Sequence, residues 1–198
     1  PEAVSYKELI AAAPLRPRWF CTHWWGEPVL DFIACCEAHS KLRALDADEA
    51  SFWICAYANC QHDLHAAITE DPEQSSFRKA MRLAEGVLLI LDAAATPFRR
   101  IWCDFELYKT ISSAEGKLLD IATVHEGRPR LLSEDRPPGE TQHYKSLREQ
   151  QFPARLLAEG MRRRLEEGEA SMPEDRENIL AGMARDVPPA AARCGGGG

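Results

Sequence analysis

The sequence lacks the features that would place it in a membrane, in a secretory pathway or on nucleic acid. No apolar stretch approaches the ~18 residues that a helix needs to cross a bilayer, and residues 1–8 lack the charged-then-apolar pattern of a secretory signal. Basic residues do not dominate either, since the net charge is -7 and the one basic cluster, residues 162–164, is soon followed by two glutamates. Such a chain has no general attraction for phosphate backbones. We therefore expect no membrane span and no nucleic-acid partner.

The cysteine content does not indicate a disulfide framework. The chain has seven cysteines, which is an odd number. Cys21, Cys55 and Cys103 fall inside apolar segments, where cysteine acts as a small hydrophobic residue. We therefore expect a reducing, cytoplasmic environment.

A metal site is not indicated either. Cys60, His62 and His65 are close in sequence, but no second ligand pair follows at the spacing of a zinc finger. We interpret these residues as part of a loop and predict no bound metal.

The composition is that of one domain with short tails. With 198 residues, of which 45% are hydrophobic and 28% charged, the chain is long enough to bury a continuous core. We expect a lead segment at residues 1–17, an α/β domain at 18–185 and a flexible C-terminal tail at 186–198.

Strand and helix patterns alternate along the chain. Strands are predicted at residues 19–22, 52–57, 87–92 and 118–124, and helices at 26–42, 76–85, 99–113, 153–169 and 171–183. Residues 128–140 contain three prolines and are predicted to form a loop, so that a fifth strand has no clear position. The alternation predicts an α/β fold of the flavodoxin-like, three-layer type with a central parallel sheet of four to five strands.

One carboxylate follows the most apolar strand. On a helical wheel, Glu106 shares the polar stripe of its helix with Trp102, Lys109 and Thr110. Ligand sites in parallel sheets cluster just beyond the strand ends, so an aromatic ring and a carboxylate here fit a binding site. The alternative is that Glu106 pairs with Lys109 or with water while Trp102 only packs.

A resemblance to a known family bears on this choice. The run from Arg100 to Leu107, Arg-Ile-Trp-Cys-Asp-Phe-Glu-Leu, resembles the Trp-Cys-x-x-Glu-Leu signature of Toll/interleukin-1 receptor (TIR) domains. The segment from Trp19 to Gly26, which leads into an amphipathic helix, is similar to the first strand and loop of that family. The resemblance covers about residues 18–125.

The resemblance implies a chemical activity and a site. In the enzymatic branch of the family, the glutamate that matches Glu106 is catalytic and cleaves NAD+ between nicotinamide and ribose, in signalling or defence. NAD+ is then a substrate, and no cofactor is needed. Because the nicotinamide ring of NAD+ is already a cation, it leaves without the general acid that ordinary glycosides require. The residues expected to bind the substrate are Thr22, His23, Trp24, Trp25, Gly26, Asp92, Arg99, Arg100 and Trp102.

The chain departs from the family pattern at several positions. Trp24 and Trp25 stand where many relatives have arginines, which leaves Arg99 or Arg100 to contact the pyrophosphate. Asp92 stands where serine is usual, and it either orients the following loop or is a plain turn residue. The loop at residues 58–65 has neither the glycine nor the proline that relatives use for receptor-type assembly.

Two other functions fit the same patterns. One is a catalytically silent, TIR-like module that associates with other TIR-like domains, including copies of itself, through helix surfaces. The other is an enzyme similar to nucleoside 2-deoxyribosyltransferases, which also use a glutamate on a flavodoxin-like sheet.

Overall fold

The computed structural model describes residues 4–46, 50–63, 69, 71–113 and 116–186. The first four strands alternate with helices along the chain, and the fifth follows the fourth directly. The strands are β1 (Trp19–Thr22), β2 (Phe52–Trp53), β3 (Gly86–Leu91), β4 (Leu118–His125) and β5 (Arg128–Ser133). The helices are α1 (Tyr6–Ile10), α2 (Val29–Leu42), α3 (Cys55–Ala58), α4 (Ser76–Leu83), α5 (Ile101–Ile111), α6 (Gln142–Glu149), α7 (Ala154–Arg162) and α8 (Pro173–Asp186).

The strands form one sheet in the order β2-β1-β3-β4-β5. The first four strands of this order run parallel, and β5 runs antiparallel to β4 at the edge. This order is that of flavodoxin-like sheets, in which the chain changes direction across the sheet between β1 and β3. The predicted α/β class is confirmed, with a sheet that is mostly rather than wholly parallel.

Helices cover both faces of the sheet because successive side chains of a strand point to opposite sides. Strand β3 is buried along its whole length. On one face, Leu88 and Ile90 pack against side chains of α2. On the other face, Val87 packs with residues of α4, and Leu89 packs near Leu156 of α7. Helix α5 lies on this second face and is covered in turn by α8.

Two segments differ from their predicted structure. The predicted strand at residues 52–57 is wrong beyond Trp53, because β2 is an edge strand with two paired residues and the apolar run continues as α3. A short apolar run fits a strand or a buried helix equally well. The predicted loop at 128–140 is wrong for residues 128–133, which form β5. Glu126 and Gly127 both have positive φ and make a tight hairpin turn, and Pro129 is tolerated because β5 is an edge strand.

The helix boundaries differ from the prediction by a few residues. The helices predicted at 26–42, 76–85 and 99–113 occupy 29–42, 76–83 and 101–111. The two C-terminal helices, predicted at 153–169 and 171–183, occupy 154–162 and 173–186. The last helix therefore includes residue 186, the first residue of the predicted tail, whereas 187–198 lie outside the described residues. No helix in the described ranges has both the length and the apolar character needed to cross a membrane.

A charged network is buried on the α2 face of the sheet. Asp120 of β4 is fully buried and accepts hydrogen bonds from His39 Nε2 at 2.9 Å and from Arg43 Nη2 at 2.6 Å. Burial alone raises the pKa of Asp120, but the hydrogen bonds from His39 and Arg43 outweigh it and leave the pKa below its usual value. The guanidinium of Arg43 also lies 5.2 Å from the centre of the Trp19 ring. Asp120 is therefore charged and compensated inside the fold.

We expect Arg43→Met to lower the free energy of unfolding by about 3 kcal/mol, because it leaves a buried carboxylate without its main partner. Since the pKa of Asp120 is lowered on folding, this stabilisation is present near neutral pH and is lost as the pH falls through that lowered pKa. The matched control is Arg162→Met, which breaks an exposed pair with Glu159 and should cost less than about 1 kcal/mol. Urea unfolding measures both, and equal effects of the two variants would contradict the prediction.

Candidate functional site

A cavity of about 660 Å³ opens beside the carboxyl end of β1, where the sheet changes direction. Its volume lies within the range of about 300–1,000 Å³ that is usual for small-molecule sites. It is lined by the end of β1 and the loop after it, the α3 region, Thr69, Phe77 of α4, the first half of α5 and residues 171–178 at the start of α8. The lining residues used below are His23, Trp24, Trp25, Cys55, Asn59, Phe77, Arg100, Trp102, Cys103, Glu106, Ser171, Glu174, Asp175 and Asn178.

Glu106 lines this cavity from inside the protein. It is 4% exposed, its carboxyl group forms no ion pair with any described residue, and the one polar side chain that acts on it is the hydroxyl of Thr22. The alternative pairing with Lys109 is not formed, because the Lys109 ammonium binds Glu73 and Asp186 instead. Glu106 is therefore a buried acid without a cationic partner in the described part of the chain.

Burial changes the acidity of this group. It raises the pKa of Glu106 from its usual value near 4.5 to about 8, because a charged carboxylate loses its hydration there. The nearby Thr22 hydroxyl acts in the opposite direction, but it lowers the pKa by less than burial raises it. Carboxyl groups with such raised pKa values are typical of functional sites.

Aromatic rings form the walls around the carboxyl group. Trp102 stacks on Phe77 with 5.2 Å between ring centres and an interplanar angle of 23°. Its indole Nε1 donates a hydrogen bond to Asp175 Oδ2 at 3.0 Å, which joins α5 to α8. On the other side, the indole Nε1 of Trp25 donates to Cys55 Sγ. Flat faces of this kind suit the stacking of a heterocyclic ligand.

Two buried side chains, His23 and Glu27, form a pair that holds the loop after β1. His23 Nδ1 lies 2.7 Å from Glu27 Oε1, and both side chains are less than a tenth exposed. Burial raises the pKa of Glu27, while the hydrogen bond and charge of His23 act in the opposite direction. Glu27 was not among the residues predicted from the sequence, although its spacing of four from His23 is a signal for a contact. His23 Nε2 is buried and has no partner among the described residues.

Three of the sequence-predicted residues support the site without lining it. Thr22 is fully buried at the end of β1, near Glu106. Gly26 leaves room for Trp24, since a Cβ atom here would lie 2.2 Å from the Trp24 ring. Asp92 accepts hydrogen bonds from the backbone N and the hydroxyl of Thr96, at 2.6 and 2.7 Å, and so orients the loop after β3.

The two candidate arginines have different positions. Arg100 lines the cavity, and its Nη2 lies 3.4 Å from Ser171 Oγ, to which it donates. Arg99 is exposed outside the cavity lining, and its carbonyl oxygen accepts a hydrogen bond from the backbone N of Glu169. Arg100 is therefore the arginine positioned to meet a ligand.

The sequence also missed Phe77, Asn59 and the residues of α8 that complete the cavity. Asn59 ends helix α3, inside the segment that was predicted to be a strand and loop. Ser171, Glu174, Asp175 and Asn178 come from a part of the chain about 70 residues after Glu106, and no local pattern connects the two. Their contribution follows only from the packing of Ile179 and Met183 against α5.

The thiols in the cavity are poor nucleophiles. Burial, with a further contribution from the charge of Glu106, raises the pKa of Cys55 to about 12. Burial also raises the pKa of Cys103 well above its usual value. Because the thiolate is the reactive form, neither cysteine is activated at neutral pH.

The structure offers no cluster for a metal among its described residues. In the described ranges, no three His, Cys, Asp or Glu side chains are close enough to share an ion. Of the Cys60, His62 and His65 group, His65 lies outside the described residues. The chemistry available in the cavity is thus that of the buried carboxyl group of Glu106, the more exposed carboxylates of Glu174 and Asp175, one guanidinium, one imidazole, hydroxyl and amide groups, and aromatic rings.

Comparison with known proteins gives no relative for this chain. No family model matches the sequence, and neither the curated proteins nor the solved structures contain a significant match.

The raised pKa of Glu106 predicts a pH-dependent difference in stability between the wild type and Glu106→Gln. Below the usual pKa, the carboxyl group is protonated in both the folded and the unfolded protein. As the pH rises to about 8, the unfolded chain ionises first, which destabilises the folded wild type by on the order of 4 kcal/mol. The glutamine variant lacks this loss. We therefore expect its advantage in urea unfolding to grow between pH 5 and pH 8 and to be constant above that, whereas a difference independent of pH would be the contrary result.

Proposed function

We propose that this protein is a TIR-like NAD+ glycohydrolase or cyclase that releases nicotinamide, with Glu106 as its catalytic residue. The observation that carries the proposal is the carboxyl group of Glu106, the one buried acid among the described residues of a cavity walled by aromatic rings. The resemblance of the segment from Arg100 to Leu107 to the TIR signature supports the same assignment. The cytoplasmic location and the role in signalling or defence are part of this proposal.

The reaction needs one carboxylate. The bond between the ribose C1′ and the pyridinium nitrogen breaks, and its electron pair goes to the nitrogen, so that nicotinamide leaves as a neutral molecule. Positive charge develops on the ribose, and the Glu106 carboxylate stabilises it or briefly bonds to C1′. Water then adds to C1′ and loses a proton, or an internal nitrogen of the same molecule takes its place and gives a cyclic product.

The charges around the cavity favour a ligand with a cationic ring. Glu174 and Asp175 at the start of α8 add two acidic side chains to Glu106. Arg100 is the one Lys or Arg side chain among the described lining residues, and it is available for a phosphate group. A pyridinium ring therefore meets acidic groups and aromatic faces, with which cations interact favourably by about 1–2 kcal/mol when they are desolvated.

The pKa of Glu106 couples ligand binding to ionisation. With a pKa of about 8, the carboxyl group of the empty protein is mostly protonated at neutral pH. A cationic ring beside it favours the charged form and lowers this pKa. Binding of the substrate therefore expels a proton and produces the carboxylate that the reaction needs.

We expect Glu106→Gln to reduce nicotinamide release at least a thousandfold, because the amide cannot neutralise the developing charge. The matched control is Asp104→Asn, which removes a half-buried carboxyl group of the same helix that does not line the cavity and should leave turnover within a factor of about three. The measurement is chromatography of NAD+ incubated with each protein at high concentration, with and without crowding agents. Equal turnover by the wild type and Glu106→Gln would refute the proposal.

The same assignment predicts a pH profile. The kcat/KM of the wild type should rise with pH and level off near pH 8, since kcat/KM reports the ionisation of the free enzyme. The profile of kcat should level off at a lower pH, because the bound cation lowers the pKa of Glu106. Profiles of kcat and kcat/KM that are both flat between pH 5 and pH 9 would argue against a role for this carboxylate.

A second candidate function is a catalytically silent module that associates with copies of itself. The observation in its favour is the outer surface of α2, where Val29, Leu30 and Ile33 are 56%, 77% and 46% exposed. Three neighbouring apolar side chains on one helix face are suited to contact another protein.

If α2 forms such an interface, Leu30→Glu should weaken self-association at least tenfold and leave the fold intact. A suitable control is Met161→Glu, which places the same charge on an apolar position of α7 that is at least as exposed. Sedimentation velocity over a concentration series measures the association. A monomeric wild type at the highest concentration, or equal effects of the two variants, would exclude the α2 interface.

A further inference from the structure

One buried amide in the cavity has no partner in the described structure. Asn59 is 6% exposed and lines the cavity together with Trp25, Trp102 and Glu106. Its Nδ2 is buried, and its side chain forms no hydrogen bond with any described residue. A buried donor without an acceptor is costly, so native proteins rarely keep one unless a ligand or another group meets it.

The position of Asn59 does not depend on its side chain. Its backbone N donates a hydrogen bond to the carbonyl oxygen of Cys55 at 3.2 Å, which closes the end of α3. Its own carbonyl oxygen accepts from Gln61 Nε2 at 3.2 Å. Because the hydrogen bond that closes α3 fixes the backbone without using the side chain, the amide is left for another purpose.

We propose that Asn59 recognises the carboxamide group of a nicotinamide ring and thereby selects the leaving base. The inference rests on the proposed function and adds to it the residue that determines base specificity. An asparagine side chain presents a donor and an acceptor in one plane, and a primary carboxamide presents the same pair in reverse, so two hydrogen bonds form. The rings of Trp25 and Trp102 in the same cavity supply faces for the heterocycle that carries the carboxamide.

The surroundings favour a carboxamide over a carboxylate. A nicotinate group adds a negative charge to a cavity that already contains Glu106, with Glu174 and Asp175 at its rim. Nicotinate also lacks the N–H group from which the amide oxygen of Asn59 would accept a hydrogen bond. A plain alkyl substituent leaves the Asn59 donor unpaired and is rejected for that reason.

The test measures binding of the free bases, which requires no turnover. We expect the wild type to bind nicotinamide about tenfold more tightly than nicotinate or 3-methylpyridine, as followed by quenching of tryptophan fluorescence and by ligand-observed NMR. Asn59→Leu should lose this preference by weakening nicotinamide binding about tenfold, with 3-methylpyridine binding unchanged or tighter.

The free energy of unfolding provides a second measurement. If Asn59 had a purely structural role, Asn59→Leu would lower it, whereas we expect no loss. Asn59→Leu replaces an unpaired buried amide with an apolar group of similar size, so it should be as stable as the wild type or more stable. The matched control is Gln61→Leu, which removes an amide that donates to the carbonyl oxygens of Ala56 and Asn59. It should reduce stability and keep the preference for nicotinamide.

The outcomes separate this inference from the proposed function. A wild type without preference for nicotinamide, or an Asn59→Leu variant that is less stable yet keeps the preference, would overturn the role of Asn59. Loss of NAD+ turnover in Glu106→Gln would still support the catalytic proposal in that case. Conversely, if Glu106→Gln retains turnover, the catalytic proposal fails. A preference for nicotinamide that is lost in Asn59→Leu would still support the role of Asn59.

Discussion

The site depends on one constraint, which is that the Glu106 carboxyl group is buried away from water without a cationic partner among the described residues. This burial lowers the stability of the folded protein. Packing of α5 offsets this loss, because the helix is held from two sides, by the sheet and by the contacts of Ile101 and Phe105 with α8. Lys109, the nearest candidate partner on the helix, is instead bound to two other acidic residues. A buried acid that destabilises the empty protein and lines a cavity is typical of a site whose partner is a ligand.

A second buried acid shows what a structural carboxylate looks like in the same protein. Asp120 lies on the opposite face of the sheet and is surrounded by Arg43 and His39, so its pKa is lowered. Glu106 has no such partners in the described structure, and its pKa is raised. Burial penalises the charge of both residues, and the difference lies in the compensation. The contrast distinguishes an acid that stabilises the fold from one that is available for chemistry.

The sequence predicted correctly those parts of the structure that local residue patterns specify. Continuous apolar runs predicted β1 and β3, and the spacing from Trp102 to Glu106 predicted a shared surface that the cavity lining contains. The edge strands were predicted less well for physical reasons. The strand predicted for β2 was too long, since β2 pairs at only two residues, and β5 was missed because it contains Pro129, which local rules count against a strand. Asn59 and the start of α8 could not be found, because their places in the cavity follow from tertiary packing.

The position of α8 links the core of the protein to the chemistry of the cavity. Ile179 and Met183 secure the helix to α5, while Asp175 at its start accepts a hydrogen bond from the indole of Trp102. The same segment supplies acidic side chains at the rim and a hydroxyl group for Arg100. A shift of α8 would therefore move one wall of the cavity and change the charge around a bound cation. Under the proposed function, base recognition by the α3 side and charge stabilisation by the α5 side both require this third wall, although the TIR-like resemblance ends well before it.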